Sequence, residues 1–270
     1  MDIFARLAEL ERMGGEAALA TIVRDQGSVP RRAGARMLVF ADGHTEGTIG
    51  GGEMESRVAD EARQVIRDRQ PRIVPYRFND PQHGDPGVCG GEIEVFIEAL
   101  RARPTLVVVG IGHVGRAVAH LAHWLGFRLV ASDDRAEYAT PGSVPDADQT
   151  ICCSLEELPQ RVAIDDQTYL VLTTRNVTLD VAGLPSLLKT PFAYLGVIGS
   201  RRRWETTVGQ LRQAGIPESE IRRVVSPTGL ELNAETPEEI AVSILAQVIQ
   251  LRRGGSGQAM RQVPVERRTA

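Results

Sequence analysis

The segment Thr105-Leu-Val-Val-Val-Gly110-Ile-Gly112-His113-Val-Gly115 does most to limit what this chain can become. Its unbroken aliphatic run reads as a strand buried on both faces. G-x-G-x-x-G follows directly and leads into a helical period from about Val114 to Leu125. Gly110 allows the tight turn, Gly112 lets the backbone approach phosphate oxygens, and Gly115 permits close helix-strand packing, which leaves an anion at the helix N-terminus. Asp133 and Asp134 end the next strand, with Asp133 18 residues past Gly115, where a ribose hydroxyl would be accepted. The segment therefore predicts a Rossmann-type unit holding the phosphate or diphosphate of a cofactor. The bland alternative is a Rossmann scaffold that binds nothing.

The surrounding pattern agrees. Leu106 to Val109, Arg128 to Ala131, Gln149 to Cys152, Tyr169 to Leu172 and Tyr194 to Ile198 are short β-branched and aliphatic runs. Helical periods separate several of them, which predicts a doubly wound parallel sheet. Thr236-Pro237-Glu238-Glu239 is a capping box with proline at the first helical position, opening a helix through about Arg252 that Gly254-Gly255 ends.

Upstream the pattern differs. Ile3 to Met13 has helical spacing, Ala18 to Arg24 and Arg36 to Phe40 are strand-like, and Glu53 to Arg67 is a helix with Met54, Val58, Ala62, Val65 and Ile66 inward. Arg72 to Phe78 and Glu92 to Ala99 form a last strand pair around the loop Asn79 to Gly91. The expected organisation is an α/β chain: an α+β domain over 1–101, a polar hinge at Arg101-Ala102-Arg103-Pro104, the Rossmann-like domain over 105–253, and a disordered tail over 254–270.

A net charge of -4 offers no broad basic surface, so nucleic acid is not an expected partner. No apolar run approaches the roughly 18 residues a bilayer span needs, and the first residues lack a signal-peptide pattern, so the expected location is cytoplasmic. Cys89, Cys152 and Cys153 are an odd count without framework spacing and read as reduced thiols. Cys152 and Cys153 close what reads as an interior strand, one thiol to each face, and are expected to be buried and inert.

Other candidates have two readings each. Gly50-Gly51-Gly52 before a helix is either an N–H cradle for an anion or a flexible turn. Gly90 and Gly91 flank Cys89 with Gly87, leaving its sulfur uncovered, as a ligating or attacking thiolate requires; otherwise Cys89 is an incidental loop residue. His113 either faces the phosphate or bonds the backbone. Arg31 and Arg32, and Arg201 to Arg203 after Gly199-Ser200, either clamp an anion or are solvated faces.

Taken in order, Gly27-Ser-Val-Pro-Arg31-Arg-Ala-Gly-Ala-Arg36-Met37, Gly47-Thr-Ile-Gly-Gly-Gly52, Val88-Cys-Gly-Gly-Glu92-Ile-Glu94-Val, the Gly110 to Gly115 fingerprint, Gly196-Val-Ile-Gly-Ser200-Arg and Thr236-Pro-Glu-Glu-Ile240-Ala resemble the XdhC/CoxI family of xanthine dehydrogenase accessory factors. The resemblance runs from about Glu9 to Gly254. It implies a molybdenum cofactor (molybdopterin) chaperone that protects the cofactor while a cysteine desulfurase installs its sulfido ligand, then delivers it to a xanthine dehydrogenase-type molybdenum hydroxylase. It also implies that Cys89 handles the cofactor, as a molybdenum ligand. The chain departs from the family pattern at Glu53, where many members have cysteine, and at Thr173-Thr-Arg175-Asn176, where many have a histidine-containing turn.

The competing reading is an NAD(P)-dependent oxidoreductase. Against it stand the lack of a Tyr-x-x-x-Lys pair and of a clear catalytic set, with Lys189 the sole lysine. A scaffold bridging desulfurase and hydroxylase is the third. Glycine-rich edge strands make a homodimer an additional expectation.

Overall fold

A computed structural model of the chain describes residues 2–13, 15–78, 90–100 and 103–260. The chain divides into two compact units, Met1–Arg103 and Pro104–Ala270. Cys89, Arg101, Ala102 and the tail from 261 onward lie outside the described residues.

The first unit runs α1 (Ile3–Met13), β1 (Ala17–Gln26), β2 (Arg36–Phe40), β3 (Thr45–Gly47), α2 (Gly52–Asp68), β4 (Arg72–Arg77) and β5 (Glu92–Ala99). Its sheet has the order β3-β2-β1-β5-β4 with antiparallel neighbours. The period-2 alternation of β1 divides its residues between two layers. Ala18, Ala20 and Ile22 pack in the cluster with Met54, Val58, Ala62, Val65 and Ile66 of α2, while Ala17 and Leu19 pack with Leu7 and Leu10 of α1. The five inward α2 residues are those the helical spacing indicates. Truncating one of them, as in Met54→Ala, removes packing worth about 2–5 kcal/mol. The strand β3 has no counterpart in the sequence reading because Thr45-Glu46-Gly47 is too short and polar to show alternation; pairing with Met37 to Val39 makes it a strand.

The second unit contains β6 (Thr105–Val109), α3 (His113–Trp124), β7 (Arg128–Asp133), β8 (Gln149–Cys152), α4 (Leu158–Arg161), β9 (Thr168–Leu172), α5 (Val177–Leu187), β10 (Tyr194–Val197), α6 (Arg201–Gln213), α7 (Glu218–Ile221), β11 (Val224–Val225) and α8 (Pro237–Arg253). All neighbouring strands are parallel, in the order β8-β7-β6-β9-β10-β11. Numbered from β6, this is the 3-2-1-4-5-6 order of a doubly wound fold, with its switch point between β6 and β9. Alternate residues of β6 feed opposite layers: Leu106 and Val108 pack with α3 and α8, and Val107 and Val109 with α4, α5 and α6. The capping box at Thr236 forms, and Gly254 closes α8 in the left-handed conformation with φ 71°.

The sheet order corrects the reading of the cysteine pair. The strand β8 is an edge and not interior, so Cys152 is exposed while Cys153 is buried. The two-residue β11 also escaped the sequence reading. Among the described residues no helix is long and apolar enough to cross a membrane.

Candidate functional site

The second unit opens a cleft of about 540 Å3 at the C-terminal ends of β6, β7 and β9, where open parallel sheets bind ligands. Gly110 turns the chain there with φ +96°, and a Cβ on it would lie 2.7 Å from the Thr173 carbonyl oxygen. Gly115 sits under the turn, where a Cβ would come within 2.0 Å of the Gly110 carbonyl oxygen. Nothing approaches a Cβ on Gly112, so that side of the loop is open. No side chain caps α3, and its first N–H groups have no intrahelical acceptor, which leaves partial positive charge at the cleft floor.

His113 and Arg116 line the cleft from the first turns of α3, and both are exposed. Across from them stands Asp133, 1% exposed and fully engaged. Its Oδ2 accepts the Ile111 N–H at 2.7 Å and Arg135 Nη2 at 3.0 Å; its Oδ1 accepts the Arg135 N–H at 3.0 Å and Arg135 Nε at 2.9 Å. The sequence assigned this carboxylate to a ribose, but the structure uses it to brace the glycine loop. The same contacts hold the Arg135 pKa above its ordinary value. Arg135 lies on the Tyr138 ring, Cζ to centroid 3.7 Å, and Arg116 approaches the same ring at 5.7 Å.

Arg175, after β9, reaches Asp134 with Nη1–Oδ1 at 2.6 Å and Nη2–Oδ2 at 2.7 Å. That guanidinium holds the Asp134 carboxyl below the usual carboxylate range. Cys153 is also in the cleft wall, with Sγ 3.6 Å from Ser132 Oγ. Burial pushes its thiol up, which disfavours a thiolate.

Ser200 and Arg201 are not among the residues lining the cleft. Ser200 Oγ accepts the Arg203 N–H at 3.2 Å as the N-cap of α6, and Arg201 is exposed. Arg203 turns inward to Asp180 and Thr174, where it fixes the loop after β9. Of the arginine run, then, one member is a structural brace.

In the first unit the cradle at Gly50, Gly51 and Gly52 forms, and the chain supplies its anion. Glu55 Oε1 accepts the N–H groups of Ile49 at 2.9 Å, Gly50 at 3.1 Å and Gly51 at 2.9 Å, along with the Thr48 hydroxyl. Burial pushes the Glu55 carboxyl up, but the bonds from Thr48, Gly51, Ile49 and Gly50 outweigh it and hold it below its ordinary value. Of the three glycine N–H groups expected to meet an external anion, Glu55 takes those of Gly50 and Gly51 and not that of Gly52. Gly91 allows a close crossing, since a Cβ there would lie 2.3 Å from the Ser28 carbonyl oxygen. Gly90 bridges Ser28, and both glycines line a depression with Gln26 and Arg77. Arg31 is exposed, whereas Arg32 pairs with Asp25 at 2.8 Å. Cys89 lies outside the described residues, and among those described no group of three or more His, Cys, Asp or Glu residues is placed to hold a metal ion.

Sequence reading missed Arg116, Arg135, Tyr138 and Glu55. The spacing Asp133-x-Arg135 and the position of Arg116 directly after the third glycine are the signals that point to the cleft pair. The Glu55 contact depends on three successive left-handed glycines, which sequence does not display.

The model of the XdhC Rossmann domain matches residues 106–248, and that of the XdhC and CoxI family matches residues 10–77. The chain belongs to the XdhC/CoxI family. The uncharacterised protein YqeB of Escherichia coli K12 is 37% identical over 96% of this chain, which spans only 48% of that relative's length. A probable xanthine dehydrogenase subunit of Bacillus subtilis 168 is 25% identical, with 88% of this chain aligned to 94% of that protein. The molybdenum cofactor insertion chaperone PaoD of Escherichia coli K12 is also 25% identical, with 88% of this XdhC/CoxI member aligned to 84% of PaoD.

Proposed function

We propose that the chain is an accessory factor for molybdenum enzymes: it binds molybdenum cofactor, shields it while a cysteine desulfurase installs the sulfido ligand, and delivers it to a xanthine dehydrogenase-type hydroxylase. The observation that carries this reading is the likeness to PaoD across 88% of the chain, together with family membership over both units. The uncapped start of α3, open at Gly112 and flanked by Arg116, suits the phosphate of such a cargo. With Glu55 accepting from Ile49, Gly50 and Gly51, those donors do not need the cargo to be satisfied. Cys89 is assigned to the molybdenum end on the strength of the family resemblance.

The test is to incubate the purified chain with molybdenum cofactor, isolate it by gel filtration, and quantify bound molybdenum and pterin for wild type, Cys89→Ala and Arg116→Ala. Stoichiometric binding that loses molybdenum in Cys89→Ala supports the role and the residue. Binding unchanged in Cys89→Ala removes that residue from it, and no binding by wild type overturns the chaperone reading.

A further inference from the structure

Asp133 occupies the position at which Rossmann proteins accept a ribose 2′-hydroxyl. An ionised carboxylate has about four acceptor directions. All four are used: two by Arg135 side-chain nitrogens, one by the Arg135 N–H and one by the Ile111 N–H, at 2.7 to 3.0 Å. A ribose hydroxyl could bond this 1%-exposed group only by displacing a donor. The second carboxylate, Asp134, is forked by Arg175, one nitrogen to each oxygen. What the cleft presents beside these two paired carboxylates is a pair of guanidinium groups: that of Arg135, which lies on Tyr138 with Asp133 as its partner, and that of Arg116 beside the same ring. An arginine next to the acidic position is the arrangement that accommodates a 2′-phosphate. Glu137 shares the rim and opposes an anion there.

We propose that the cleft of the second unit takes a nucleotide carrying a phosphate on its ribose 2′ oxygen, read by Arg116 and Arg135, in preference to one with a free 2′-hydroxyl. This goes beyond cofactor handling and rests only on the cleft being a phosphate site, so nucleotide and molybdenum binding are scored separately.

The experiment is calorimetric titration of the full chain with NADP+ and NAD+ as probes, and with 2′,5′-ADP against 5′-AMP. The 2′-phosphorylated member of each pair should bind about 10- to 100-fold tighter, the size of one charge-assisted contact. Arg116→Ala should bring the ratio toward one by weakening the 2′-phosphorylated member of each pair more than its partner, and Glu137→Gln should widen it. Arg135→Ala, by unloading Asp133, should strengthen NAD+ as it weakens NADP+; circular dichroism of each variant checks that it is folded. Equal or tighter binding of NAD+ by wild type, a ratio that ignores Arg116→Ala, or binding of neither probe at millimolar concentration each overturns the proposal. Selective NADP+ binding by a chain that takes up no molybdenum cofactor would sustain it while removing the chaperone role.

Discussion

Arg203 donates Nη2 to Asp180 Oδ2 at 2.6 Å and Nη1 to the Thr174 carbonyl at 3.0 Å, tying the start of α6 to the loop that follows β9. Asp180 is fully buried, with its side chain 0% exposed, so its charge depends on this partner. Removing one member of a buried pair leaves the other uncompensated, at about 3–5 kcal/mol. Arg203→Leu should therefore lower stability by that amount in urea unfolding, and Asp180→Asn by less, because the amide oxygen still accepts a bond. A loss under about 1 kcal/mol for Arg203→Leu would show that the pair is dispensable.

Glu55 should give acid unfolding a specific component. Its folded pKa is lowered from 4.5, so its stabilisation is present above that value and fades as pH falls through the folded pKa. Glu55→Gln cannot titrate and should unfold with a flatter dependence on pH below about 4.5, measured by fluorescence-detected urea melts at several pH values. Glu55→Ala, which strands the N–H groups of Ile49 and Gly51 and leaves Gly50 only the Thr48 hydroxyl, should cost about 1–3 kcal/mol at neutral pH. Identical pH profiles for wild type and Glu55→Gln would contradict the nest assignment.

Both cases show where sequence stops. The inner face of α2 was legible because a period of 3.6 depends on local order alone, and β6 because an unbroken aliphatic run reads as a strand buried on both faces. The three glycines of the fingerprint were legible because each answers a steric demand visible from the motif. Side-chain occupancy was not. Whether Asp133 waits for a ribose or braces Ile111 depends on Arg135, and whether the Gly50 loop waits for phosphate depends on Glu55 one turn into the helix. Edge position was also hidden: the sequence of β8 resembles a buried strand, and only the sheet order exposes Cys152.

The pair Asp134–Arg175 should matter for binding and little for stability. Both side chains are partly exposed, at 29% and 44%, and such pairs contribute about 0–1 kcal/mol. Asp134→Asn should leave the melting midpoint nearly unchanged yet release a guanidinium into the cleft, raising affinity for inorganic pyrophosphate several-fold in a competition titration. Unchanged pyrophosphate affinity would mean that Arg175 does not face the ligand.

Gly112 and Gly115 separate folding from recognition. At Gly115 a Cβ would overlap the Gly110 carbonyl at 2.0 Å, backbone against backbone, so Gly115→Ala should destabilise the second unit by several kcal/mol as the turn and α3 are forced apart. At Gly112 the backbone has φ -77° and nothing lies within 4 Å of a Cβ, so alanine fits the fold without strain. That methyl would project where an anion approaches the first N–H groups of α3. Gly112→Ala should therefore unfold within about 0.5 kcal/mol of wild type but bind phosphate-bearing ligands at least ~10-fold more weakly, compared by urea denaturation and calorimetry on the same preparation. If Gly112→Ala keeps full affinity, the ligand does not sit on the helix terminus, and the cationic rim at Arg116 must hold it instead.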